Sequence, residues 1–320
     1  MHRTALALVN GRFQFGPYTA FAVQDGKSRI IHAPPLEQRV IHRAMAGVLR
    51  PAFEQGALPH SHAGRPGRGH ASAMREGIRW TRNCSWWLKM DVEKFYDSIP
   101  HEMLLAMLRR RFRERRLIFL FERLISSYET GAGLGLPMGA LTSQLFGNFY
   151  LDPVDHLIVD RKLPRGYVRY LDDLFVWHHD RRVLLEIRDR VAGFFERLGL
   201  KIKNGGQVNR STEGLPMLGL VVYPNRIRLD GDARVRLRRK CRALERAYRK
   251  RHIEDRDLQR RSEALFAWAR QADDAAWRRA WLALRDFGET LEDTARDARR
   301  ELQEPALELP VGLPQQEAPA

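Results

Sequence analysis

Apolar and polar positions change period several times along the chain, and the changes mark out its elements. From Tyr18 to Ala33, YTAFAVQDGKSRIIHA reads as two short strand runs joined by the turn signal Asp25-Gly26, which predicts a hairpin. In LEQRVIHRAMAGVLRPAFE, Val40, Ile41, Ala44, Val48 and Leu49 recur at helical spacing until Pro51 interrupts the run. The segment SHAGRPGRGH holds three glycines, a proline and two arginines, so a basic loop should precede a helix starting near Ala71. SWWLKMDVEKFYDSIP is apolar and aromatic up to Asp91, which sets a carboxylate at the C-terminal end of a predicted strand. A helical stretch from near Pro100 to about Tyr128 follows, GAGLGLPMGA breaks it, and LTSQLFGNFYLDPVDHLIVD resumes as a long helix.

YVRYLDDLFVWHH places Val168, Tyr170, Leu174, Phe175, Val176 and Trp177 around an acidic pair, the pattern of a hairpin turning at Leu171 to Asp173. VLLEIRDRVAGFFERLGL is an amphipathic helix, and KIKNGGQVNR and GLPMLGLVVYPNRIRL read as short strands with turns. Helices and strands in this mixed order predict an α+β fold. Beyond about Ala233 the chain turns helical and basic, continuing into an apolar-periodic segment with Leu265, Trp268, Trp277 and Trp281. A domain boundary is expected near Gly231. QEPALELPVGLPQQEAPA at the end has the composition of a disordered tail.

With 320 residues and 44% hydrophobic composition, the chain can bury a substantial core. Its 55 Lys and Arg against 39 Asp and Glu give a formal charge of +16, which favours a polyanionic partner. Cys84 and Cys241 lie outside any C-x-x-C pattern, so no disulfide framework or cysteine zinc site is expected and a reducing cytoplasm fits. The N-terminus has an apolar patch without a sustained hydrophobic region, and neither secretion nor membrane insertion is expected.

Asp91 at a strand end and the adjacent Asp172 and Asp173 in a tight turn are the chemical signal. An Asp-Asp pair in a turn is ordinarily solvated or capping. Three carboxylates converging from separate strands instead suit nucleotidyl transfer, which uses two divalent cations about 4 Å apart, held by oxygen ligands shared with substrate phosphates.

The wording around these acids resembles reverse transcriptases. Tyr170-Leu171-Asp172-Asp173 is similar to the Tyr-x-Asp-Asp motif, and Asp91-Val92-Glu93-Lys94-Phe95-Tyr96 to the preceding catalytic-aspartate motif. GLPMGALTSQLFGNFYL between them resembles the Leu-Pro-x-Gly element and its helix, and Met217-Leu218-Gly219 the primer-grip turn. The resemblance runs from roughly Phe15 to Tyr223 and continues more weakly through SEALFAWARQAD. It implies a right-hand polymerase: fingers and palm over residues 1–230, with an antiparallel palm sheet plus helices, a basic helical thumb over 231–302, and the tail over 303–320.

The resemblance also assigns roles. Asp91, Asp172 and Asp173 would be catalytic and, with Val92, would hold two Mg²⁺ ions, which Mn²⁺ can replace. Tyr96 would be the steric gate against ribonucleotides, and Arg29 would lie against the triphosphate, beside Lys27. Met138, Gly139 and Gln144 would also meet the dNTP. Lys203, after Lys201, stands where the family carries a lysine able to protonate pyrophosphate, and Gly205-Gly206 replace the usual lysine further on. Arg65, Arg68, Leu218 and Gly219, with Arg236, Arg238 and Arg239 of the basic thumb, would contact nucleic acid. The implied partners are template RNA, a DNA primer and dNTPs, with no membrane.

Within the family, Leu136-Pro137-Met138-Gly139 followed by Ser143-Gln144 is similar to the reverse transcriptases of diversity-generating retroelements. Those have an aliphatic residue where retroviral enzymes carry a glutamine, and misincorporate opposite template adenines. A thioether supplies no strong hydrogen bond to the nucleotide sugar, so discrimination should loosen; the alternative role of Met138 is plain packing. A small basic accessory protein is a further implied partner. The chain begins almost at the fingers hairpin, without the N-terminal helical segment such enzymes carry, as a late start or a trimmed relative would.

Two alternatives share the acidic triad or the fold: a retron or antiviral-defence reverse transcriptase, and a non-catalytic RNA-binding protein. An intact triad argues against the second. His60, His62 and His70 match no zinc spacing and read as nucleic-acid contacts or solvated residues. Trp86 and Trp87 read as core.

Overall fold

The computed structural model describes residues 2–25, 27–160 and 164–274. Two compact units divide the chain, the first ending at Asp232 and the second starting at Ala233. The N-terminal apolar patch, with no strong periodicity of its own, winds into α1 (His2–Val9), where alanines and leucines favour the helix. The hairpin follows as β1 (Thr19–Asp25) and β2 (Lys27–Ala33), paired from Asp25 opposite Lys27 back to Thr19 opposite Ala33.

α2 (Leu36–Glu54) runs through Pro51 instead of stopping there. A proline deletes one intrahelical donor, and the helix ends within a turn of it. Phe53, packed 4.7 Å from the Phe149 ring and 5.4 Å from Phe112, holds the last turn. The buried stripe of α2 is Ile41, Met45, Leu49 and Phe53 at four-residue spacing, whereas Val40 and Val48 of the expected stripe face solvent. Several residues here are apolar on two faces, and periodicity alone cannot choose between them.

α3 (His70–Asn83) leads into β3 (Trp86–Met90), a short helix α4 (Phe95–Ser98) and α5 (His101–Arg111). The single helix expected up to Tyr128 is broken at Phe112, and α6 (Arg115–Ile125) starts afresh where the Glu114 carboxylate accepts the Arg116 N–H. Next come α7 (Leu141–Val159), β4 (Gly166–Tyr170), β5 (Asp173–His178), α8 (Arg181–Arg197) and β6 (Gln207–Arg210). β7 (Leu215–Met217), β8 (Leu220–Val222) and β9 (Ile227–Leu229) form a separate three-stranded antiparallel sheet.

The central sheet has the order β4-β5-β3-β6 and is antiparallel throughout. Both faces are covered, so its strands read as apolar runs rather than alternations. Leu88, Met90, Tyr167, Leu174 and Val176 join α7 and α8 in the main core. Trp87, Val168, Phe175 and Trp177, also buried, occupy the other face, where the Trp177 indole donates to Thr81 Oγ1 of α3 at 3.0 Å. Each such buried side chain stabilises the fold by roughly 2–3 kcal/mol.

In the second unit, α9 (Gly231–Arg249) buries Ala233, Leu237 and Cys241, and α10 (Asp255–Ala269) buries Leu258 and Phe266. Trp277, Trp281, the rest of the expected thumb and the expected tail lie outside the described residues. Among the described residues, no helix is long and apolar enough to cross a membrane.

Candidate active site

The register of the central sheet brings the three aspartates together. β3 pairs with β5 up to Met90 opposite Leu174, so one step further along the same register sets Asp91 across from Asp173. β4 and β5 close at Tyr170 opposite Asp173, leaving Leu171 and Asp172 as a two-residue turn. Leu171 takes a φ of 55° there, left-handed backbone that a leucine adopts only when its surroundings hold it.

Burial, reinforced by the Asp173 and Asp91 carboxylates, pushes the Asp172 carboxyl up to about 7, and the backbone hydrogen bond and Arg29 oppose the rise. Asp173 is raised in the same direction by burial, against the pull of Lys89. Two lysines face the acids: Lys203 Nζ lies 3.6 Å from Asp91 Oδ2, and Lys89 Nζ 3.9 Å from Asp173 Oδ1. Lys203 is fixed further by its N–H, which donates to the Asp91 carbonyl at 2.8 Å. The Glu93 N–H donates to Lys201 O at 2.8 Å, so the two bonds flank Val92 and leave its carbonyl outside the ladder.

Lys89 has no counterpart among the sequence expectations. It lies two residues before Asp91 and therefore on the same strand face, donating to Pro216 O at 3.1 Å with its ammonium 5.6 Å from the Phe175 ring. A lone cation inside the apolar run WWLKM was the available signal.

Arg169 is the second omission. Its guanidinium is fully buried, donating to Asp155 at 2.6 and 2.7 Å, to Asp152 at 3.2 Å, to Asn148 Oδ1 at 3.1 Å and to the Leu171 carbonyl at 3.3 Å. Its backbone pairs with His60 O and the His62 N–H. One side chain thus fastens the aspartate turn to α7, and its main chain fastens the loop that precedes α3. Asp152, half-buried beside this network, is pushed up to about 7 by desolvation, with Arg169 opposing the rise.

Tyr96 sits on α4 with its phenol raised by burial and by Asp172. α7 can approach it because Gly147 has no side chain: a Cβ there would come within 3.0 Å of the Phe95 ring and 3.3 Å of Tyr96. The Met138 carbonyl accepts the His32 N–H at 2.7 Å and so joins the hairpin to the Leu-Pro-Met-Gly turn, where Gly139 packs beneath Ile31. Arg29, exposed on β2, is close enough to oppose the rise at both Asp172 and Asp173. Gln144, in the first turn of α7, rests its amide against Gly64.

Arg65 departs from expectation. Instead of presenting a cation to nucleic acid, it is nearly buried and donates to Glu54 at 2.6 and 2.9 Å and to the Ser61 carbonyl at 3.1 Å, clamping its own loop. Arg68 is half-buried and donates to Pro59 O. Leu218 and Gly219, with φ of 50° and 83°, form the two-residue turn between β7 and β8, the left-handed pair such hairpins require. His60, His62 and His70 are engaged with Tyr167 O, Ser72 Oγ and Leu218 O, and burial with nearby Arg68 lowers His62 to about 4. In the second unit, Arg236 and Arg238 are half-buried and Arg239 exposed on α9.

Among the described residues, no three or more His, Cys, Asp or Glu side chains are gathered as a ready metal cage. The three carboxylates meet faced by lysines, an oxygen-only set that suits Mg²⁺, which keeps waters and shares substrate phosphates rather than occupying an all-protein cage.

Residues 22–206 match the family model described as reverse transcriptase (RNA-dependent DNA polymerase). Over 138 residues the chain is 30% identical to an uncharacterized 91 kDa protein in the cob intron of Schizosaccharomyces pombe, covering 41% of this chain and 17% of that protein. It is 27% identical over 169 residues to protein YkfC of Escherichia coli, covering 49% and 44%. It is 22% identical over 145 residues to the group II intron-encoded protein LtrA of Lactococcus lactis, covering 43% and 24%. The matches span less than half the length of each of these relatives. Apo telomerase from Candida tropicalis superposes with a TM-score of 0.51 at 12% identity, over 68% of this chain and 49% of the other, and identifies the fold as that of a right-hand polymerase. With more than half of its length matched by the family model, the chain belongs to the reverse transcriptase family.

Proposed function

We propose that this chain copies RNA into DNA, joining dNTPs to a primer 3′ hydroxyl. The observation that carries the reading is the convergence of Asp91, Asp172 and Asp173 at one end of the central sheet, where burial and the neighbouring carboxylates raise Asp172 and Asp173. Two divalent cations, Mg²⁺ or Mn²⁺, would be held by these carboxylates and the Val92 carbonyl, and when bound they supply charge stabilisation at the attacking and leaving oxygens.

The remaining roles belong to the chain itself. Arg29 offers a planar guanidinium to the triphosphate. Tyr96 fills the space a ribose 2′ hydroxyl needs. Lys203, beside Asp91, can hand a proton to pyrophosphate as it leaves, and Met138, Gly139 and Gln144 would line the nucleotide's approach. Residues 1–230 then act as fingers and palm and 231–302 as a thumb, with Leu218-Gly219, Arg68, Arg236, Arg238 and Arg239 along the template-primer.

Within the family we assign the chain to the error-prone, diversity-generating type, supported by Met138 and the Ser143-Gln144 pair. A second reading, an intron-type reverse transcriptase, is favoured by the printed names of the cob-intron and LtrA relatives. Primer extension on a defined RNA template tests the common activity: Asp172→Asn or Asp173→Asn should abolish it with the thermal melt retained. Extension by both variants at the wild-type rate would end the proposal. Sequencing the products separates the two subtypes, because only the first expects errors concentrated opposite adenine and lowered by Met138→Gln.

A further inference from the structure

The junction of α5 and α6 carries a concentration of charge that the candidate active site does not use and the fold uses only in part. Residues 109–116 read RRRFRERR, six arginines with one glutamate, and all six arginines are exposed. Helix-dipole compensation explains only part of this. Arg109, Arg110 and Arg111 lie in the last turn of α5, where positive charge is favoured, but Arg115 and Arg116 open α6, where the dipole disfavours it and the first turn holds no acid. Arg109 pairs with Glu122 at 2.7 Å, and Arg111 donates to Gln55 at 3.0 Å. Among the described residues, Arg110, Arg113, Arg115 and Arg116 have no ion-pair partner.

Between these arginines stands an aromatic ring. Phe119 is 46% exposed, with the Arg123 guanidinium 5.7 Å from its centroid and Gly11 close against its ring. A depression of about 360 Å³ lies on one side of it and one of about 270 Å³ on the other, and Arg115 borders both. The arginines lie at the N-terminal end of α6, and the hairpin meets the chain beyond the opposite end, where the Tyr18 and Ser127 hydroxyls are 3.0 Å apart. Arg111 reaches Ala52 O at the C-terminal end of α2, a helix about 28 Å long whose other end follows β2.

We infer that this junction is a second nucleic-acid site, which takes single-stranded RNA outside the polymerase cleft, its phosphates on Arg113, Arg115 and Arg116 and a base on Phe119. Arginine forks match phosphate oxygens, and an exposed ring between them offers the stacking platform that distinguishes an unpaired strand from a duplex or an acidic protein surface. The inference rests on the RNA-templated reading for its choice of strand.

The test uses the full chain and labelled RNA–DNA hybrids with the DNA 3′ end recessed by a few template nucleotides, the RNA otherwise either blunt or carrying a further unpaired extension of roughly 20 nucleotides at one template end or the other, long enough for a single-strand site. An extension should tighten wild-type binding, with a salt slope steeper by about 2 for three phosphates on a single strand. The triple variant Arg113→Gln, Arg115→Gln, Arg116→Gln should lose that gain and slope, and Phe119→Ala should lose most of the gain with the slope kept. Binding and extension of the blunt hybrid should not change in either variant. No gain in the wild type, or a gain surviving in the triple variant, would overturn the inference, as would a parallel loss on the blunt hybrid. Failure of the wild type to extend the blunt hybrid, with the extension's binding gain intact, would instead strike the polymerase reading alone.

Discussion

Arg169 Nη2 lies 2.6 Å from Asp155 Oδ2 with neither side chain reaching solvent, directly behind the turn that carries Asp172. A buried ion pair of this kind contributes little compared with an apolar substitute, but losing one partner strands the other charge and costs about 3–5 kcal/mol. Asp155 also accepts the Tyr167 hydroxyl at 2.5 Å, so its removal leaves two donors unsatisfied.

Asp155→Ala is therefore expected to lower the melting temperature by roughly 10 °C, taking a unit of this size to shift a few degrees per kcal/mol. Calorimetry measures it. A change within one or two degrees would mean that the network relaxes around the gap and does not anchor the turn.

The raised Asp172 carboxyl gives a pH dependence of definite sign. A carboxyl raised from 3.8 to about 7 on folding favours the folded state fully below 3.8, and that stability is lost as the pH rises through 7. Asp172→Asn should leave stability unchanged near pH 3.5 and increase it at pH 8 by about 1–2 kcal/mol, after discounting a partly exposed group for solvent screening. In the wild type, primer extension at limiting Mg²⁺ should rise with pH through 7, and more Mg²⁺ should move the midpoint down, because the cation competes with the proton. A midpoint indifferent to Mg²⁺ would assign the titration to another group.

The acidic site was legible in the sequence because its signals are local: a strand ending at Asp91, and a turn dipeptide flanked by two apolar runs. Arg169 and Lys89 were missed because their roles are set by long-range pairing. The chain between Asp155 and Arg169 gives no hint that the two meet, and Lys89 reaches Pro216 only across the gap between two sheets. Arg65 was misread for the same reason, since its partner Glu54 belongs to the preceding helix. On α2, Val40 and Val48 looked like core because a mixed helix offers more than one apolar stripe, and packing against α7 selected the stripe through Ile41 and Met45.

Lys203→Gln separates a chemical from an electrostatic role. The ammonium lies 3.6 Å from Asp91, so its loss removes a counter-charge from the acids as well as a proton donor. If proton donation matters, single-turnover incorporation should fall about 10- to 100-fold with little change in dNTP affinity, within the range of general acid catalysis. A rise in KM alone would assign Lys203 to nucleotide binding.

The proposed gate rests on a contact that can be altered from both sides. Tyr96 and Phe95 pack against Gly147, where an added Cβ would stand 3.3 and 3.0 Å from their rings, closer than such atoms ordinarily approach. Tyr96→Ala removes the bulk proposed to meet a 2′ hydroxyl, and should raise ribonucleotide incorporation relative to deoxyribonucleotide by 10-fold or more, a change of at least about 1.4 kcal/mol in discrimination. Gly147→Ala keeps the phenol but forces the rings to move away from α7. It should lower kcat for dNTPs and leave ribonucleotides excluded, because the obstruction is displaced and not removed. Competing NTP and dNTP in one reaction, read by alkaline cleavage of the product, measures both variants on the same template. Unchanged sugar selectivity in Tyr96→Ala would place the discriminating contact elsewhere, and equal ribonucleotide entry in the two variants would show that the ring's position, and not its presence, sets the selection.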